Sequence, residues 1–136
     1  MDFSRYDVDL LLFEDVGPYA EELPGEVRVI FYDITKAFGS YMACIGRAAR
    51  HRDGFTFAFR NAILLQKLFG GKTLRLCSFL FKRLQKRYDC VIAYRSGFCT
   101  DFAAYAVKAE QKISWWHHGA LDMSEKSKKN LQRAYR

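Results

Sequence analysis

A mixed α/β fold is the class this 136-residue sequence predicts, and two observations carry it. Short, continuously apolar runs recur between turn signals, as in Leu10-Leu11-Leu12-Phe13. Such runs suit parallel strands covered on both faces. The segments between them are helical in pattern, which gives a β-α-β rhythm. We therefore expect a Rossmann-like, three-layer domain over 1–136, with a mainly parallel sheet of about four strands and a basic helical insertion at 33–89. Half of the residues are hydrophobic and 16% are aromatic. That composition excludes a disordered or low-complexity chain, which lacks the apolar surface to offset ordering entropy.

The expected strands are Val8 to Phe13, Val27 to Tyr32, Cys90 to Tyr94 and Ile113 to Trp116. Between the first two, Pro18 suits the first turn of a short helix over Tyr19 to Leu23, and Pro24-Gly25 suits a turn. Between the last two, Arg95 to Cys99 forms a loop and Thr100 to Ala109 a helix. Thr100 can cap that helix, and Asp101 lies favourably in its first turn. Residues 33–89 are too many for one crossover helix. Gly54 and Gly70-Gly71 divide them into three helices, Thr35–Arg50, Phe55–Phe69 and Lys72–Arg87. On a helical wheel, Leu74, Cys77, Leu80, Phe81 and Leu84 share an apolar arc, and Lys72, Arg75, Lys82, Arg83, Lys86 and Arg87 share the other. Leu76 and Phe79 lie inside the basic arc. A final helix is expected from Met123, with Asp122 and Glu125 as a capping pair.

The charge is local. Between Cys44 and Arg87 stand eleven lysines and arginines and one acid, Asp53, in a chain of net charge +7. An anionic neighbour follows from that balance: nucleic acid, phosphorylated substrate or lipid headgroups. A solvated helical face is the plainest use of such a run. A membrane-surface patch of Lys72, Arg75, Phe79, Lys82, Arg83 and Lys86 is the second use. Nucleic-acid binding is the third, and no recognised motif supports it. Cys44, Cys77, Cys90 and Cys99 have no C-x-x-C spacing and read as free buried thiols. No apolar run reaches the ~18 residues of a membrane span, and the acidic start of the chain does not look like a signal peptide.

Three stretches resemble a known family: DFSRYDVDLLL at Asp2–Leu12, YDCVIAYRSGFCT at Tyr88–Thr100, and KAEQKISWWH at Lys108–His117. In order and spacing they are similar to the N-terminal, acceptor-side domain of family 4 glycosyltransferases of GT-B fold, of the bacterial capsular and exopolysaccharide type. Cys99 stands where relatives often carry Pro, and a second histidine, His118, follows His117. The resemblance implies transfer of a hexose from a nucleotide sugar to an acceptor hydroxyl, with retention and without a catalytic metal. It also implies a C-terminal donor domain beyond this chain, and a first strand and glycine-rich loop before Asp2. A truncated chain of that kind would be inactive alone, would bind no cofactor itself and could self-associate. The acceptor would be a lipid-linked saccharide, and the place the cytoplasmic face of a membrane.

His117 follows the fourth apolar run. Ligands of parallel sheets bind outside the carboxyl ends of strands, and an imidazole there can serve in either protonation state. The plain alternative is a histidine that caps a strand, and the resemblance favours catalysis. His118 is an accessory acceptor-binding residue. Two adjacent histidines on an extended chain cannot converge on one metal ion. Arg95, Ser96, Gly97 and Thr100 form the acceptor-binding loop in this reading, with Gly97 permitting close backbone approach. An ordinary βα turn is the alternative. As a whole, the competing function is a non-enzymatic α/β module that docks a membrane surface or an acidic partner through its basic helices.

Overall fold

The computed structural model describes residues 2–14, 21–95 and 97–115, together with Glu125, Lys128, Lys129, Gln132 and Tyr135. The chain divides into two compact units, Met1–Arg60 and Asn61–Arg136. The fold is mixed α/β, with all four strands in parallel pairs.

In the first unit, β1 (Val8–Leu12) pairs with β2 (Val27–Phe31) in parallel, Val8 opposite Val27 and Leu12 opposite Phe31. Asp9 lies opposite Arg28, and its nearly buried carboxylate accepts two guanidinium hydrogen bonds from it. A carboxylate taken from water requires such a partner, and the paired fork of Arg supplies it. After β2, Asp33 accepts from the Thr35 amide at 2.9 Å and from its hydroxyl. This Asx turn opens a 3₁₀ turn at Thr35–Ala37. Phe38 is extended and Gly39 has φ +111°, so the helix expected over Thr35–Arg50 is broken there. It restarts as α1 (Tyr41–Arg50). Among the described residues of this unit, Ile30, Ile34, Ala37, Cys44, Ala48 and Phe59 are the buried apolar side chains.

The junction from α1 to α2 (Gly54–Phe69) is tightly specified. Asp53 N–H donates to the Ala48 carbonyl at 2.9 Å, and Arg52 N–H to Ala49 at 3.2 Å. This is the Schellman pattern, with Arg52 in the left-handed position at φ +54° where glycine is usual. Asp53 then caps α2. Its carboxylate accepts from the Thr56 amide at 2.9 Å and the Thr56 hydroxyl at 2.7 Å. These bonds hold the Asp53 carboxyl below its ordinary value of 3.8.

The second unit begins with the later turns of α2. The helix expected over Lys72–Arg87 is instead a 3₁₀ stretch at Gly71–Leu80 and a second at Lys82–Leu84, separated by Phe81 at φ −100° and ψ 63°. The physical reason is visible in the side chains. Thr73 Oγ1 donates to the Gly70 carbonyl at 2.9 Å, and Ser78 Oγ to the Arg75 carbonyl at 2.9 Å. Such local bonds compete with α-helical pairing. The buried residues Leu74 and Cys77, with half-buried Gly71 and Leu80, recur every third position. That is the repeat of a helix with three residues per turn.

β3 (Tyr88–Ala93) and β4 (Ala109–Ser114) form the second parallel pair, joined by α3 (Phe98–Tyr105). The four strands do not form one sheet: β1 pairs only with β2 and β3 only with β4, among the described residues. The last strand is also shifted. It covers Ala109–Ser114 rather than Ile113–Trp116, because its inward positions pack on α3 and its outward ones do not need to be apolar. The helix after β3 starts at Phe98, not Thr100, and stops at Tyr105. Cys44 and Cys77 are buried, but Cys90 is exposed and Cys99 half-buried, which corrects the expectation of four buried thiols. Of the short helix expected at Tyr19–Leu23, Glu21 and Glu22 are described and lie in a 3₁₀ turn, with Leu23 in a bend after it; the start of the last helix at Met123 lies outside the described residues. Glu125, Lys128, Lys129 and Gln132 are helical.

Two substitutions test the α1–α2 junction. Arg52→Gly should raise stability by about 0.5–1 kcal/mol, since glycine takes a positive φ without penalty. Asp53→Ala should cost about 1 kcal/mol at pH 7 by loss of the cap. Because the folded-state carboxyl is held below 3.8, this contribution is present above pH ~4 and disappears as pH falls through that depressed value. Urea denaturation of both variants at pH 7 and pH 3 measures each outcome.

Candidate functional site

Parallel pairing sends the carboxyl ends of β3 and β4 out at the same rim. Ala93 lies opposite Ser114, and the Trp115 amide continues the ladder to the Ala93 carbonyl at 2.8 Å. The loop after β3 and the residues after β4 therefore leave the sheet as neighbours. Gly97 has φ +79° and ψ −127°, a conformation that strains any L side chain, and nothing lies within 4 Å of where its Cβ would stand. The glycine serves the backbone turn, and the space beside it is open.

Of the residues the sequence nominates, Arg95 and Gly97 are exposed at this rim. Thr100 is not. It is 2% exposed, and its hydroxyl lies 3.1 Å from both the Arg95 carbonyl and Ser114 Oγ. Its own carbonyl accepts from the Tyr135 hydroxyl at 2.9 Å. Thr100 therefore ties Arg95, Ser114 of β4 and Tyr135 together, and it makes no helix cap: α3 has no side-chain cap hydrogen bond at its start. A side chain so engaged positions the rim rather than contacting an acceptor. Ser96, His117 and His118 lie outside the described residues. Lys72, Arg75, Phe79, Lys82, Arg83 and Lys86 are all exposed, along the 3₁₀ stretches and the residues just after them. They lie on other elements than the rim.

The rim also holds two residues that the sequence reading passed over. Tyr94 and Trp115 are 65% and 55% exposed, and their ring centroids are 6.1 Å apart with a 33° tilt. Strand alternation explains the pair. Ile92 and Ile113 are in register, so the next positions two residues on share their face. That face is open, whereas Val91, Ala93, Lys112 and Ser114 point towards α3. The signal in the sequence is the aromatic residue directly following each strand, once the strands end at Ala93 and Ser114.

Two polar groups fix α3 behind the rim. Lys112 Nζ donates to the Ala104 and Val107 carbonyls at 2.6 and 2.7 Å, closing the carboxyl end of α3. Burial lowers the Lys112 ammonium below its ordinary value of 10.5. At the other end, the Asp101 carboxylate accepts from Gln66 Nε2 at 2.7 Å. Burial raises its carboxyl above 3.8, in spite of that bond and of its place in the first turn of α3. Among the described residues, no group of three or more His, Cys, Asp or Glu converges as a metal site, and no helix is long and apolar enough to cross a membrane.

Comparison with protein-family models, with curated proteins and with solved structures finds no match.

Asp101 yields a prediction with a defined sign. Because its folded carboxyl titrates above 3.8, the native state holds the proton more tightly and ionisation costs stability as pH rises past that value. Asp101→Asn keeps a hydrogen-bonding partner for Gln66 without the buried charge. It should be neutral or stabilising at pH 7, and lose that advantage below pH ~4. Thermal melts at the two pH values check it.

Proposed function

We propose that this chain is the acceptor-side part of a glycosyltransferase, transferring a hexose from a nucleotide sugar to an acceptor hydroxyl in polysaccharide biosynthesis. The observation that carries the reading is the Tyr94–Trp115 pair at the strand-end rim beside Arg95 and Gly97. An aromatic face is electronegative, and the aliphatic C–H face of a pyranose carries the complementary polarity. Two exposed rings side by side offer a sugar such a surface. Around them, the Arg95 guanidinium and the backbone near Gly97 can meet hydroxyls or a phosphate. This is the place where parallel sheets hold their ligands, outside the carboxyl ends of the strands.

In this reading the acceptor hydroxyl is presented at the rim and the donor domain brings the nucleotide sugar opposite. The bond from the anomeric carbon to the diphosphate oxygen breaks, and a bond to the acceptor oxygen forms on the same face. The acceptor proton leaves to the departing phosphate. His117, two residues after Trp115, would hydrogen-bond the transferred sugar or the phosphate, with His118 an accessory contact. Ser96 belongs to the same loop. The family resemblance supports the donor class and the retention of configuration. The ring pair supports a saccharide ligand independently of it.

Titration of the chain with a panel of neutral and uronic-acid-containing oligosaccharides, read by calorimetry and by Trp fluorescence, tests the proposal. Binding should be seen, and Trp115→Ala or Tyr94→Ala should weaken it roughly tenfold, about 1.4 kcal/mol, with the far-UV spectrum unchanged. No saccharide binding, or equal binding by both variants, would overturn the reading.

A further inference from the structure

The 3₁₀ stretch Gly71–Leu80 has three ridges, because its repeat is three residues. Gly71, Leu74, Cys77 and Leu80 form the inward ridge, and the stretch packs on α3. Phe81, just beyond it, stands 4.6 Å from Phe102 of α3, ring centre to ring centre. The other two ridges face out. One carries Lys72, Arg75 and the half-buried Ser78. The other carries Thr73, Leu76 and Phe79, of which Leu76 and Phe79 are 67% and 61% exposed. Lys82, Arg83 and Lys86 follow, all exposed, with the Lys86 ammonium over the Tyr88 ring at 4.9 Å. No acid occurs between Gly54 and Arg87.

A solvated face explains the cations but not Leu76 and Phe79. Residues three apart share a face, so Leu76 and Phe79 stack on one outward line of the 3₁₀ stretch, with Lys72 and Arg75 on the next. From this geometry we infer that the 3₁₀ stretch is an interfacial docking ridge for an anionic lipid bilayer. Leu76 and Phe79 enter the boundary between headgroups and acyl chains, and Lys72, Arg75, Lys82, Arg83 and Lys86 meet the phosphates. Charge complementarity identifies the partner as anionic, and the two apolar residues select a bilayer over a polynucleotide. An aliphatic Leu cannot stack on a base or bond a phosphate, but it gains by leaving water for hydrocarbon. The inference does not depend on sugar transfer. A transferase half and a docking module would use this ridge alike.

Co-sedimentation of the full chain with vesicles of phosphatidylglycerol and phosphatidylcholine, against phosphatidylcholine alone, tests it. Binding should require the anionic lipid and weaken at least tenfold between about 0.05 and 0.3 M salt, as screening shortens the range of the charges. Lys82→Gln and Arg83→Gln should each cost about fivefold. Leu76→Ser with Phe79→Ser should cost at least about tenfold at constant salt, with far-UV dichroism unchanged, since both side chains already face solvent. As a second readout, Phe79→Trp should be quenched by brominated acyl chains above the background of Trp115 and Trp116. Equal binding to neutral vesicles overturns the inference. So does loss of binding through the cations with none through Leu76 and Phe79, or tight binding of an RNA oligonucleotide where vesicles fail.

Discussion

The parallel ladder between β3 and β4 is the constraint on which the candidate site depends. Parallel strands cannot be joined by a tight turn, so the chain must cross over and return to the same end. In this protein the crossover is one short helix of eight residues. Its consequence is topological: whatever follows Ala93 and whatever follows Ser114 must emerge together. The Trp115 amide bond to Ala93 extends the pairing one residue past the strand and fixes the spacing of the two exits. Nothing about Tyr94 or Trp115 alone makes a ligand surface. Their common exit from one ladder is what sets the two exposed rings side by side.

An eight-residue helix is too short to hold its shape unaided, since helix nucleation is unfavourable and most helical stability comes from packing. The structure compensates at both ends of α3. Lys112 reaches from β4 to the last carbonyls, and Thr100 bonds backwards to the Arg95 carbonyl and across to Ser114. Between the ends, Phe102 is held by Phe81 and Phe98. The polar residues of this segment are thus divided. Thr100, Asp101 and Lys112 hold the helix, and Arg95 and Gly97 stay at the rim. Burial is what separates them: the Thr100 hydroxyl, with the Arg95 carbonyl and Ser114 Oγ as partners, is enclosed, whereas Arg95 and Gly97 are exposed.

The fold class and three of the four strands could be read from the sequence because each strand is a short β-branched or aliphatic run flanked by turn residues. The fourth could not. AEQKIS carries Lys112 on its inward face, and an inward lysine is legible only when the helix end it caps is in view. The single four-stranded sheet was an inference from rhythm, and rhythm does not decide which edges meet. The end of α1 at Arg50 is legible ahead of Gly54, but its start is not, because the break at extended Phe38 and at Gly39 with its positive φ leaves little compositional trace. The apolar arc of the basic segment was legible, as Leu74, Cys77, Phe81 and Leu84 are all buried. Spacings of three and four suit both helix types over one turn, and only the local bonds of Thr73 and Ser78 favour the tighter one.

The tighter winding also couples the basic ridge to the rim. The 3₁₀ stretch packs on α3, and α3 packs on β3 and β4. Tyr105 of α3 presses so closely on Gly71 that a Cβ there would stand 2.6 Å from its ring, so only glycine allows the stretch to begin at that distance. With that contact fixed at one end and Phe81 against Phe102 at the other, the rotation of the stretch about its axis is set by α3. Leu76 and Phe79 have no freedom to turn inward without pulling Leu74 and Cys77 out of the core. The outward apolar line is therefore a consequence of the packing that supports the strand-end rim, and a surface held in this way is presented at a constant orientation to whatever it meets.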